Sequence, residues 1–106
     1  MGSKLNLLNI LIAEDNDLKK ITADKTTLII VLLMYRYHYE KKKIFSTDKF
    51  LDENIIISSR SKKISIIQGL EKNKIIERTL NLKDKRSKII SIKKEIIDKL
   101  DKYLEK

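Results

Sequence analysis

Apolar residues near the start of the chain recur at helical spacing. Leu7, Leu8, Leu11, Ile12, Leu18 and Ile21 fall three and four residues apart, which predicts an amphipathic helix over 4–21. Glu14, Asp15, Asn16 and Asp17 form a candidate interruption within it. Thr22 or Asp24 can then cap a second helix over 26–39. Its LIIVLLM stretch is apolar nearly all round, so it belongs at the centre of the domain or in a subunit interface. Ile44 and Phe45 form a short extended piece, and Ser46 or Thr47 opens a short helix ending near Asn54, with Phe50 and Leu51 turned inward.

Ile55, Ile56 and Ile57 lead to Ser58 and Ser59, either of which can accept a hydrogen bond from free amides at the start of a helix over about 59–73. On a 100° wheel Ile64, Ile66, Ile67 and Leu70 take one side of that helix, and Ser61, Lys62, Ser65, Gln68, Gly69 and Lys72 take the other. Lys63 falls within the apolar arc and is expected to run its stem along it. Two runs with β character follow, 75–80 and 87–92, joined by a charged tip of Asn81, Leu82, Lys83, Asp84, Lys85 and Arg86. Ile96, Ile97, Leu100, Tyr103 and Leu104 form the stripe of a last helix, which with the first helix could make a dimer interface. The expected start, Met1, Gly2 and Ser3, is a disordered one.

Length and charge narrow what such a chain can do. Its 106 residues suit one domain, 1–106, with a modest core and little room for a deep cleft. The net charge of +9 is uneven: residues 1–53 carry nine bases and eight acids, and residues 54–106 carry fifteen bases and seven acids. Within 58–94 twelve Lys and Arg face only Glu71, Glu77 and Asp84. A helix and hairpin this basic point to double-stranded DNA as the partner rather than a membrane. The absence of cysteine excludes disulfides and thiolate chemistry. The longest apolar run, 28–34, is far short of the ~20 residues of a membrane span, so a cytoplasmic protein is expected.

Catalysis finds no purchase in the sequence. His38 is the sole histidine and lacks a nucleophile or orienting partner, no glycine loop cradles phosphate, and neither a metal site nor a cofactor is expected. Acid pairs such as Asp15 with Asp17, or Asp98 with Asp101, read as solvated helix surface paired locally with Lys. Tyr35, Tyr37, His38 and Tyr39 could converge on an effector pocket, but Tyr35 and Tyr39 lie one turn apart and better fit packing in the core or an interface.

At 70–78, LEKNKIIER, and 84–92, DKRSKIISI, the sequence resembles the MarR/SarA group of winged-helix DNA-binding proteins. The likeness covers about half the chain, 45–94. It implies a mainly α fold with a small β-hairpin, a winged helix-turn-helix in the order α-α-β-α-α-β-β-α, dimeric through its terminal helices. The recognition helix would be about 59–73 and the wing about 75–92. By this resemblance Asp84 orients the wing, Arg86 contacts DNA, and Arg78 matches the basic residue that closes the strand after the helix. Where the group commonly has Gly after the helix this chain has Lys74, and Asn73 is expected to take the left-handed, helix-ending conformation. The terminal helices are shorter than that group's.

The DNA-binding residues expected are Ser59, Arg60, Ser61, Lys62, Lys63, Ser65, Gln68 and Lys72 on the helix, and Lys83, Lys85, Arg86 and Lys88 on the wing. Ser61, Lys62, Ser65 and Gln68 would face the major groove, and Arg60 and Lys63 would neutralise phosphate. The simplest function is that of a homodimeric transcriptional regulator. A chain of this size also resembles TubR-type adaptors of plasmid and phage partition systems, which implies an alternative in which DNA repeats are linked to a filament-forming, tubulin-like GTPase.

Overall fold

Asp15 breaks the first helical pattern into two helices. In the computed structural model, which describes the backbone of residues 3–53, 58–81 and 84–104 and the side chains of 7–52, 58–80 and 88–104, α1 is Ser3–Leu11 and α2 is Asn16–Thr22. The Asp15 carboxylate accepts from the amides of Asp17 at 2.9 Å and Leu18 at 3.2 Å, satisfying donors that a new helix leaves free. The acidic interruption is thus a cap. Ser3 lies in α1 rather than in a disordered start; Met1 and Gly2 are outside the described residues, as are Ile55, Ile56 and Ile57.

Asp24 starts α3, Lys25–Tyr39, its carboxylate accepting from the Thr27 amide at 3.1 Å. Ile30, Val31, Met34 and Tyr35 of α3 are buried, and Leu28, Ile29, Leu33 and Tyr37 pack partly against the same core. The helix is therefore central within one chain. Ser46 precedes α4, Thr47–Glu53, and its hydroxyl accepts from the Lys49 amide at 3.3 Å; Phe50 and Leu51 turn inward as expected.

Helix α5 is Arg60–Lys72, and strands β1, Ile76–Asn81, and β2, Asp84–Ile92, form the antiparallel hairpin. Ile76 pairs with Ile92, Arg78 with Ile90 and Leu80 with Lys88, so one face of the hairpin passes from buried Ile76, Ile90 and Ile92 at its base to exposed Leu80. The strands reach further than 75–80 and 87–92: Asn81 pairs with Asp84, and an irregularity after Leu80 leaves 85–87 unmatched between the two pairings. Arg78 consequently sits inside β1 and does not close it. Ile44 bridges Ile90 on the other edge of β2, with the Ile90 amide donating to the Ile44 carbonyl at 2.9 Å.

The last helix, α6, is Lys94–Leu104. Its Ile96, Ile97 and Leu100 are buried within the chain itself, so this part of the stripe needs no second copy to cover it. It packs along α1, where Asn9 Nδ2 donates to the Tyr103 carbonyl at 3.4 Å. Lys99 donates to Asp17 at 2.7 Å and reaches Asp15 at 2.9 Å, tying α6 to the start of α2. The expected local pairing of these acids is corrected by that contact, since their partner is more than eighty positions away. No helix among the described residues is long and apolar enough to cross a membrane.

Candidate nucleic-acid interface

The start of α5 is fixed by Ser59, whose hydroxyl accepts from the Lys62 amide at 3.2 Å. Its role in the described geometry is therefore that of a cap. Ile67 and Leu70 anchor the inner face of the helix in the core, with Ile64 and Ile66 half-buried at its margins. Fixing that face sets the other. Ser61, Ser65, Gln68 and Lys72, at i, i+4, i+7 and i+11, are all exposed and form one stripe along the helix. Gly69, assigned to the polar side by the wheel, is half-buried, and Lys63 is half-buried as its place in the apolar arc implies.

Two serines followed by Gln and Lys give this stripe hydroxyl and amide groups that match base edges, with little bulk at its start to hold a duplex away. Gln68 also borders a shallow concavity of about 230 Å³ with Ser46, Asp48, Ile64, Ile67 and Arg78. Arg78 is held beside α5 by Glu71, Nε to Oε1 3.2 Å.

Two of the expected phosphate and base contacts have protein partners. Arg60 lies 2.9 Å from Asp48 of α4, and Lys62 lies 3.3 Å from Asp24, the cap of α3. The Thr27 amide, and after it the Lys62 ammonium, hold the Asp24 carboxyl below the usual carboxylate range. Neither acid is near its base in sequence, and no periodic signal marks such pairs; only the fold brings them together.

On the hairpin, Lys88 is exposed opposite Leu80. Lys83 lies outside the described residues; Lys85 and Arg86 belong to β2 by backbone, and their side chains are outside the described set. Ser61, Lys62, Ser65, Gln68 and Lys72 are thus exposed on the outer side of α5, whereas Lys63 lies in its apolar arc and Lys88 lies out along the hairpin.

Within the aromatic cluster His38 meets Tyr39 edge to face at 5.0 Å, and Tyr37 meets Phe50 in the same way at 5.1 Å. Tyr35 and Tyr39 stack edge to face at 5.1 Å, and both hydroxyls donate to the same oxygen of Asp101 on α6, that of Tyr35 at 2.6 Å. Burial, then the Asp101 carboxylate, pushes the Tyr35 phenol well above its ordinary pKa. Tyr37 and His38 instead border a concavity of about 290 Å³ with Met34, Lys41, Ile44 and Ile90. The four side chains do not form a single pocket.

Among the described residues no group of three His, Cys, Asp or Glu side chains has the arrangement of a metal site. No protein-family model and no curated protein matches the chain. Among solved structures it is similar to an uncharacterized SlyA-like transcription regulator from Listeria monocytogenes, with a TM-score of 0.53 and 19% sequence identity. The likeness covers 96% of this chain and 62% of that one, so the chain spans less than two thirds of its neighbour's length. At that identity the likeness concerns the fold, and with the helix, bridging residue and hairpin above it shows that the chain is a mainly α winged helix with a two-stranded antiparallel wing.

Proposed function

We propose that this chain binds duplex DNA as a homodimer and acts as a transcription regulator on cytoplasmic DNA. The observation that carries the reading is the exposed stripe Ser61, Ser65, Gln68 and Lys72 on a helix whose opposite face is locked in the core. Such a helix presents hydrogen-bonding groups in a fixed orientation, with Arg60, Lys62 and Lys63 at its start and a basic hairpin beside it. Ser61, Lys62, Ser65 and Gln68 would read the major groove, Arg60 and Lys63 would meet phosphate, and Lys83, Lys85, Arg86 and Lys88 would follow the backbone and minor groove.

The neighbour's description as a transcription regulator supports this assignment, as does the protein's +9 charge. Among the described residues nothing favours the partition adaptor over the regulator. The dimer rests on α1 and the turn after it, where Leu7, Leu8, Leu11 and then Ile12 stay exposed beside the α6 that α1 packs against. Apolar residues at adjoining turns of one helix are the kind of surface a two-fold interface covers.

The test is binding of a labelled duplex across a salt series. With ~6 phosphates neutralised per dimer, log affinity should fall against log salt with a slope of about −5. A flat response would overturn the reading.

A further inference from the structure

The first turn of α5 is gripped from two other elements. Lys62 Nζ is 3.3 Å from the Asp24 carboxylate at the start of α3, and Arg60 Nη2 is 2.9 Å from the Asp48 carboxylate in the first turn of α4. All four side chains are open to water: Lys62 and Asp24 are 50% and 41% exposed, and Arg60 and Asp48 are 63% and 60% exposed. Exposed pairs of this kind contribute little to folding, so stability gives a weak reason for both. Their common feature is position. Each places a carboxylate beside a base at the one end of α5 where a duplex phosphate would otherwise be that base's nearest anion.

We propose that Asp24 and Asp48 occupy Lys62 and Arg60 in the free protein and thereby restrain sequence-independent binding. This rests on the duplex-DNA reading of the same surface. A base held by a carboxylate neutralises no phosphate and releases no counterion from DNA until it is exchanged. Random duplex, which offers only phosphates, must displace the carboxylate at each such base. A sequence that also engages Ser61, Ser65 and Gln68 gains base contacts that outweigh the exchange. The acids thus lower binding to every duplex by a similar factor, so that a site with base contacts stays occupied where random duplex does not.

The experiment uses the full chain, a random-sequence duplex of 25 base pairs and a salt series. Asp24→Asn keeps a side-chain oxygen for the Thr27 amide, since Asn caps helices as well as Asp does, while removing the charge that holds Lys62. It should bind random duplex about three- to five-fold more tightly at low salt, the size of a freed surface pair. Its salt slope should steepen by about 0.9 for each Lys62 that reaches a phosphate. Asp48→Asn should act in the same direction through Arg60, an independent arm should the α3 cap be sensitive.

General attraction to a more positive protein would raise affinity too. In a Lys62→Gln background the effect of Asp24→Asn should therefore shrink to that residue of long-range attraction, with no change of slope. An undiminished gain in that background, or unchanged slopes in both single variants, overturns the proposal while leaving duplex binding intact. A wild-type chain that ignores duplex at low salt overturns the DNA reading and the proposal together.

Discussion

The amide of Ile75 donates to the carbonyl of Leu70 at 2.9 Å, closing α5 by reaching back over Lys74. The Lys74 amide meets the Glu71 carbonyl at 3.1 Å, so the two bonds form the paired closure of a Schellman motif, with buried Ile75 and Leu70 at its ends. Lys74 holds φ 61° and Asn73 stays at φ −83°, so the left-handed residue is Lys74 and the expectation for Asn73 is corrected. The motif sets the geometry: the residue at this position must be left-handed whatever its side chain.

A non-glycine residue in that conformation costs roughly 1–2 kcal/mol, part of which glycine returns through its freer unfolded chain. Lys74→Gly and Lys74→Ala remove the same charge, so their difference isolates the backbone. Lys74→Gly should be more stable by about 1 kcal/mol, or roughly 4–8 °C in Tm. Equal melting temperatures would show that φ at this position carries no strain.

The α3 to α6 joint offers a second measurement. Tyr35 is buried and donates to Asp101, whereas Tyr39 shares that acceptor from an exposed position. Losing a hydrogen bond costs more where water cannot replace it. Tyr35→Phe should lower stability by about 1 kcal/mol, and Tyr39→Phe by clearly less. Urea titrations that ranked the two variants in the opposite order would contradict the burial argument.

Most of the fold was legible because its signals are local. Ser59 before a periodic apolar stripe marks the start of α5, and Ile67 and Leu70 confirm which side faces in. What escaped depends on contacts between distant segments. Lys99 with Asp15 and Asp17, Tyr35 with Asp101, and Arg60 with Asp48 involve residue types that also suit plain solvated surface. The α6 stripe illustrates the limit differently: its spacing shows that Ile96, Ile97 and Leu100 must be covered, but not whether the same chain or another covers them. The strand ends were hidden too, because the irregularity after Leu80 extends pairing into residues with turn-like composition.

The Lys99 cluster has a pH signature. Hydrogen bonding to Lys99 lowers the Asp15 pKa, and hydrogen bonding first to Asp17 and then to Asp15 raises that of Lys99. The Asp15 contribution is present above its unfolded value near 3.8 and is lost as pH falls through the lower folded value. The Lys99 contribution is complete below 10.5 and is lost as pH rises through the higher folded value. Solvent access keeps the cluster modest, ~1 kcal/mol at most. Asp15→Asn retains a capping oxygen, so its melting curve should match wild type more closely at pH 2 than at pH 7. A constant difference between the two proteins across that range would exclude the linkage.

On the proposed interface, Gln68 and Lys72 share the exposed stripe of α5 but differ in what they can offer. An amide can make two directed bonds to a base edge, whereas an ammonium is a point charge. Gln68→Ala should therefore relax sequence selection, costing ~1–3 kcal/mol on preferred sites and little on random duplex. Lys72→Ala should weaken all duplexes alike and reduce the salt slope by about 1. Selection of binding sites from a randomised pool, run with both variants, separates these outcomes. Identical selected sequences for wild type and Gln68→Ala would remove Gln68 from base reading.

The proposed dimer depends on the apolar residues that the single chain leaves uncovered. Leu8 and Ile12 are 47% and 64% exposed, and α6 already has its Ile96, Ile97 and Leu100 buried internally. A charge at Leu8 or Ile12 therefore faces water in a monomer but must be desolvated in a dimer that buries α1. Leu8→Glu and Ile12→Lys should shift sedimentation from dimer toward monomer at micromolar concentration, with little loss of helical circular dichroism. Duplex affinity should fall with them, because two linked recognition helices bind as one unit and separate chains do not. A dimer that survives both substitutions would place the interface away from α1, whereas a wild-type monomer that still binds duplex would separate DNA recognition from dimerisation.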